Sequence, residues 1–441
     1  MAEILMESWI AGRWNSIIQH FGNPLFKNAY LMMLGTVAHS FFGFIFWIIA
    51  ARLYTVEVIG LSSAIVSSAG LLAILSDLGL SIGLIRFLPA AGENSNDLLN
   101  TFFTIIVFAS ILIASIFLAG LDFWSPALLL VRQNMAFTIV FVVFAVISTL
   151  QNIVYNAFIA KRKAEFMFIS NIISSLLKIA LVTLFAVFLN STFGFFITIS
   201  LTGAISLVIS IYWFLPRVQN GYRPIPKIKK EILSKSLHYS INNYVGRCLL
   251  QMTPLILPLM VVNILSAEMN AYFVIAWSIA SVLFIIPASI STSLFAEGSN
   301  NKKLLLINSK KSMKLVLLLL LPLSFILFIL AGKLLQLFGQ AYSDNSAFLL
   351  GILALSSIPY GINYLYINIA RVNDDVISII IVTMAATFLS LGLSCFLMLK
   401  MGLVGIGMGY LMGQSTVAIG VLFIIRRDIY RIQPIIKSIG A

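Results

Sequence analysis

Apolar residues in this chain come in blocks of twenty or more, broken by short polar turns. A block of that length, advancing about 1.5 Å per residue as a helix, crosses a hydrocarbon layer roughly 30 Å thick. Twelve such blocks can be counted, at roughly 27–50, 60–88, 98–120, 135–159, 166–189, 193–216, 236–263, 269–294, 313–338, 346–370, 376–399 and 402–425. The pattern predicts an all-α integral membrane protein. The longest polar interruption, Arg217 to Lys235 (RVQNGYRPIPKIKKEILSK), lies near the midpoint and leaves six blocks on each side. The expected organisation is an N-terminal segment 1–26, a first lobe 27–216, a linker 217–235, a second lobe 236–426 and a tail 427–441. In Met1 to Pro24 there is no basic leader followed by an apolar core and cleavage site, so it is not read as a signal peptide. Leu5, Trp9, Ile10, Trp14, Ile17, Ile18 and Phe21 share one helical face there, which predicts an interfacial helix.

Composition agrees: 60% hydrophobic and only 10% charged residues leave too little polar surface for a water-soluble globule of 441 residues. The net charge of +13 would suggest nucleic acid in a soluble protein, but the basic residues here sit in the turns between apolar blocks. With both termini inside, 22 of the 28 Lys and Arg residues fall on the cytoplasmic side, and only Arg52, Arg132, Lys333 and Lys400 outside. That asymmetry orients the chain. Six spans per half then start both halves on the same side, so any internal repeat is parallel. An offset of 211 residues places Gly35 on Gly246, Glu57 on Glu268, Leu72 on Leu283, Ile74 on Ile285 and Gly194 on Gly405, and aligns the helix-start signals at Thr55 and Ser266.

Cys248 and Cys395 lie inside spans without metal or redox spacing. No phosphate-binding GxxxxGK[ST], HExxH or GxSxG pattern occurs, and the external loops are short, so no enzyme and no cofactor is expected. The informative residues are charges placed where charge is expensive. A Lys, Arg or Asp at the centre of a span costs roughly 2.5 to 3.5 kcal/mol and faces a wet cavity or a partner. Lys178, Arg247 and Asp77 share one depth, and two cations against one anion predict a site for an anionic group at Lys178 and Arg247. Asn171, Ser174, Ser175 and Lys178 form one helical stripe; Tyr239, Asn243, Arg247 and Gln251 form another. With His39, Asp77, Asn152, Tyr155 and Asn156 they are expected to line a central vestibule. The competing reading makes Asp77 an ion-pair bridge to Lys178 or Arg247, and the Asn and Ser stripes interhelical hydrogen-bonding contacts. Pro254, Pro258, Pro287, Pro322 and Pro359 interrupt spans of the second half, as bending helices of an alternating-access carrier would, or as static packing would.

Ala50 to Gly60 (AARLYTVEVIG), Leu75 to Pro89 (LSDLGLSIGLIRFLP) and Asn171 to Phe185 (NIISSLLKIALVTLF), after the Lys161 to Lys163 turn, resemble signatures of polysaccharide-biosynthesis flippases of the MOP superfamily, which also contains the MATE exporters. The resemblance covers about residues 27 to 430. It implies twelve spans in two parallel six-helix lobes of a cell (plasma or inner) membrane protein, flipping a polyprenyl-pyrophosphate-linked oligosaccharide to the outer leaflet. The implied partners are that lipid-linked substrate, membrane lipid and the glycan-assembly machinery, with no nucleic acid. A pyrophosphate suits Lys178 and Arg247, and glycan hydroxyls suit the Asn, Tyr and Ser lining. Two rival readings remain: a cation-coupled multidrug exporter, for which Asp77 alone is a thin acid lining, and a non-transporting scaffold or scramblase-like protein.

Overall fold

The computed structural model describes residues 24–300 and 305–439, the side chains of 24–30, 33, 232–243, 247, 296–300, 306 and 427–439 excepted; the interfacial helix expected within 1–23 lies outside the described residues. Among the described residues, twelve helices are long and apolar enough to cross a membrane. The first six are α1 (Pro24–Leu53), α2 (Val56–Asp77), α3 (Ser95–Ala119), α4 (Met135–Ala160), α5 (Ala164–Phe188) and α6 (Thr192–Ile209). The second six are α7 (Lys230–Ile264), α8 (Ala267–Asn300), α9 (Leu305–Gln336), α10 (Gln340–Val372), α11 (Val376–Met401) and α12 (Leu403–Ile439). Each set forms a lobe. In the first, α1 runs along α5, α5 along α6, and α3 and α6 along α4; in the second, α8 and α9 pack on α10, α10 and α11 on α12, and α7 on α11. The lobes meet chiefly where α2 crosses α7 and α8.

Matched local chemistry starts corresponding helices in the two lobes. Thr55 Oγ1 accepts from the Val58 amide at 3.4 Å, and Ser266 Oγ accepts from the Met269 amide at 3.1 Å, so α2 and α8 begin on equivalent caps. Gly194 and Gly405 are also equivalent: a Cβ on either would overlap a backbone carbonyl, that of Leu189 or Leu397. Positions 211 residues apart therefore do the same job in both lobes, which supports the parallel repeat. The five prolines do stand inside helices of the second lobe.

The block at 60–88 is not one helix. It breaks at Leu78 and Gly79, which take φ of 50° and 77°, and resumes as a short helix Leu80–Phe87. Glycine adopts that conformation freely and leucine does not, so Leu78 is held there by its surroundings. Two polar groups compensate the break. Asp77 Oδ1 accepts from Ser81 Oγ across it, and the Tyr244 hydroxyl, from α7 of the other lobe, lies 3.0 Å from both the Ile74 and Leu75 carbonyls that the interrupted helix leaves without an amide. Hydropathy cannot register the break, because the residues around it are as apolar as those of an intact span.

At the face where α1 ends and α2 begins, here the far face, the lobes are closed on one another. Arg52 of α1 donates from Nε and Nη2 to the Leu337 carbonyl at 3.1 and 3.0 Å and from Nη2 to that of Gln336 at 3.1 Å, satisfying the carboxyl end of α9. Asn270 of α8 donates to the Gly60 carbonyl at 2.7 Å. Asn263 at the end of α7 accepts from the Ala127 amide at 3.0 Å and donates to Ser125 Oγ at 2.9 Å. Phe46, Ala50, Tyr54 and Ile59 of the first lobe join Val261, Phe273, Leu335 and Phe338 of the second in one buried apolar cluster behind these bonds.

The linker is not a free hinge. Its extended part lies along α3, where side chains answer its backbone much as a neighbouring strand would. Asn100 Nδ2 donates to the Arg223 carbonyl at 3.0 Å and Asn100 Oδ1 accepts from the Ile225 amide at 3.4 Å. Thr104 Oγ1 and Thr101 Oγ1 accept from the Lys227 and Lys229 amides at 3.1 and 3.2 Å, while Asp97 pairs with both lysine side chains. Each such hydrogen bond contributes about 0.5–1.5 kcal/mol net. Asn100→Leu is expected to release the strap, so that trypsin cuts after Lys227 and Lys229 several-fold faster with the melting temperature of the lobes little changed. An unaltered cleavage rate would show that the ion pairs at Asp97 suffice.

Candidate functional site

Lys178 stands near the middle of α5, on the side packed against α1. Its Nζ lies 5.4 Å from the centroid of the Phe46 ring, and it forms no ion pair with a described residue, so Asp77 does not bridge to it. Cation–π attraction of this kind contributes on the order of 1 kcal/mol, well short of offsetting a charge at that depth. The side chain is half-exposed, and beside it His39 of α1 is exposed, its Nδ1 3.4 Å from Ser175 Oγ. An ammonium without a counter-ion is costly against lipid tails, so Lys178 calls for water or an anionic partner at this depth.

The other expected residues divide. Arg247 and Asn243 lie on α7, with side chains outside the described residues. Asp77 is buried at 5% exposure and serves the helix break. Tyr155 donates to Asn171 Oδ1 at 2.8 Å and lies 3.3 Å from Ser170 Oγ, which is 2.9 Å from both Ser206 and Ser210; these residues tie α4, α5 and α6 together within the first lobe. Asn156 is buried and donates along its own helix to the Asn152 carbonyl at 2.8 Å; the Asn152 side chain is exposed. Ser174 is half-buried. Gln251 is exposed into a cavity of about 620 Å³ that also takes in Gly246, Tyr360, Tyr364, Arg371 and Asp374.

Two features of the second lobe escape a reading by depth and charge. Arg371, assigned by sequence to a cytoplasmic turn, borders that 620 Å³ cavity with Nη1 3.2 Å from Asn368 Oδ1. Deeper in the lobe, a separate cavity of about 250 Å³ shares Leu250, Tyr360 and Tyr364 with the first and carries no charged residue among those described. A further space of about 530 Å³ opens between the lobes, lined by Leu71, Leu75, Ile116 and Phe117 from one and Ile256, Leu259 and Met260 from the other. That lining suits an apolar chain.

Twelve spans in two parallel six-helix lobes, closed on each other at one face, define the MATE-like fold of the MOP superfamily. The chain matches the family described as polysaccharide biosynthesis protein over residues 25–295, and it belongs to that family. Its structure is similar to an inward-facing multidrug resistance MATE family transporter of the MOP superfamily, at 15% identity over 90% of this chain and 96% of that one, TM-score 0.70. An outward-facing structure with the same family description is 17% identical over 94% and 98%, TM-score 0.64. A MOP superfamily transporter from Pyrococcus furiosus is 14% identical over 94% and 96%, TM-score 0.57. No curated protein matches the sequence.

Proposed function

We propose that this protein moves a polyprenyl-pyrophosphate-linked oligosaccharide from the inner to the outer leaflet of the cell membrane by alternating access. The observation that carries the reading is Lys178, a mid-span ammonium with accessible surface and no ion pair among the described residues. A pyrophosphate arriving there supplies the missing counter-charge and hydrogen-bond acceptors at once. Membership of a polysaccharide biosynthesis family supports a glycan-bearing substrate, and the apolar space between the lobes is a fitting path for its lipid tail. The linker face is the cytoplasmic one in this reading, following the excess of basic residues there. Negative charge moving outward is then assisted by an inside-negative potential, at about 2.3 kcal/mol per charge per 100 mV. The closed far face and the linker-side cavity suit a resting state that loads from the cytoplasm. A cationic drug meets a like charge at Lys178, which disfavours the exporter.

The test is reconstitution into liposomes with a fluorescent lipid-linked oligosaccharide and an impermeant quencher. Lys178→Gln is expected to slow transfer at least tenfold and Lys178→Arg to keep a substantial part of it, with unchanged melting temperatures. Transfer by Lys178→Gln at the wild-type rate would end the assignment of Lys178. A wild-type protein that moves no lipid-linked glycan but expels cationic dyes would end the flippase reading.

A further inference from the structure

The uncharged cavity of about 250 Å³ inside the second lobe has two unlike walls. One is aromatic: the Trp277 and Tyr410 rings are 5.1 Å apart at 74°, and Phe284 packs 4.8 Å from Tyr360. The other is amide: Asn363 Nδ2 donates to both the backbone carbonyl and Oε1 of Gln414, each at 3.0 Å, and Gln414 Nε2 donates to Ser390 Oγ at 3.2 Å. Those bonds lock the amides in place. Yet the hydroxyls of Tyr360, Tyr410 and Thr253 and the indole N–H of Trp277 bond to no described residue, and Asn363 Oδ1 is buried without a partner. Donors and acceptors left open inside an apolar lobe each cost on the order of 1–3 kcal/mol unless water or a ligand meets them.

The ligand that suits these walls is defined by elimination. An anion finds no cation among the described lining residues, and a metal ion or organic cation finds no carboxylate there, although rings alone can attract an ammonium group. A lipid tail would leave every polar group unanswered. A sugar ring answers both walls, since its C–H face lies against aromatic rings while its edge of hydroxyls meets amides and phenols. The volume is below the roughly 300–1,000 Å³ of sites for drug-sized ligands, which limits the occupant to a single ring.

We infer that this cavity binds one neutral sugar residue of the transported glycan. The inference rests on the flippase reading. It adds a second anchor, because Tyr360 and Tyr364 also border the larger cavity where Arg371 stands, so a glycan held by one ring can extend toward the linker face.

The experiment uses the full chain in phospholipid nanodiscs with methyl glycosides of neutral hexoses and N-acetylhexosamines as probes, read by saturation-transfer NMR. Methyl glucuronide, tetramethylammonium and sodium ions are the comparators. Saturable binding of at least one neutral glycoside is expected, weakened tenfold or more by Gln414→Leu and several-fold by Tyr410→Phe. A variant retaining Trp277 as its sole tryptophan gives a second readout that leaves the cavity intact, with fluorescence changing saturably on the same glycoside. No response to any neutral glycoside by either method would overturn the inference, as would displacement of the glycoside by tetramethylammonium or sodium at comparable concentration. The liposome assay separates the two readings. Flipping intact with no sugar bound removes this site and leaves the transporter; sugar bound with no flipping keeps the site and removes the transport reading.

Discussion

Gly60→Ala is expected to open the far face. Gly60 sits where α2 of the first lobe crosses the start of α8 of the second, and a Cβ there would overlap the Ala267 carbonyl oxygen and carbon. Those atoms are backbone, so no side chain can swing aside. The same crossing carries the Asn270 bond to the Gly60 carbonyl and a 3.2 Å bond from Asn270 to Ser63 Oγ, both of which depend on that approach. Overpacking of this kind costs typically 1–3 kcal/mol, and a rigid backbone contact belongs at the upper end. Three kcal/mol is roughly a hundredfold shift in a two-state equilibrium. Because the overlap exists only when the lobes are closed here, the penalty falls on this state and not on one open at the far face. Spin-label distances between positions 57 and 344, on opposite lobes, are therefore expected to lengthen and broaden. Transport should fall with them, since a carrier biased to one state turns over slowly. An unchanged distance distribution would place the closure elsewhere, with Arg52 and its α9 carbonyls the next candidates.

Gly409→Ala is expected to be the most damaging single methyl in the second lobe. Gly405, Gly409 and Gly413 recur every four residues on α12 and let it lie against α11 at backbone contact: a Cβ on Gly409 would overlap the Ser394 amide and Cα, and one on Gly413 would press on Ser390. Ser394 Oγ donates to the Ile406 carbonyl at 3.0 Å across the same seam. Separating the helices loses that bond and the dispersion contacts together, for a cost of about 3 kcal/mol or more. It also displaces Gln414, one residue beyond Gly413, so neutral-sugar binding should fail along with thermal stability. Gly420→Ala supplies the control, because nothing lies within 4 Å of its Cβ position and alanine favours helix by up to about 1 kcal/mol. If both variants melt together with wild type, the α11–α12 seam is looser than this packing implies.

Parts of the site are legible in the residues alone. Lys178 stood out because a charge within an apolar block is a local anomaly. Tyr155 and Asn171 are ambiguous in the sequence, since a polar stripe looks identical whether it faces water or another helix; the structure adds their mutual hydrogen bond between α4 and α5. Arg371 reads as a turn residue from its place at a span's end, and only the placement of α7, α10 and α11 around one space brings it to a cavity. The sugar-sized cavity draws Thr253, Trp277, Tyr360, Tyr410 and Gln414 from four helices, and none of these is unusual in its own helix.

By itself, the sequence determined what depends on short-range physics. Hydropathy over about twenty residues sets the number of spans, an even count makes the lobes parallel, and Thr55 and Ser266 announce their helices because a cap bonds only three residues ahead. Only the tertiary structure decided the break at Leu78, the strapping of the linker to α3, the backbone crossing at Gly60 and the neutral cavity. Each of these depends on atoms far apart in the chain, such as Tyr244 reaching the Ile74 carbonyl or Asn100 meeting Arg223, and no window of local pattern contains both partners.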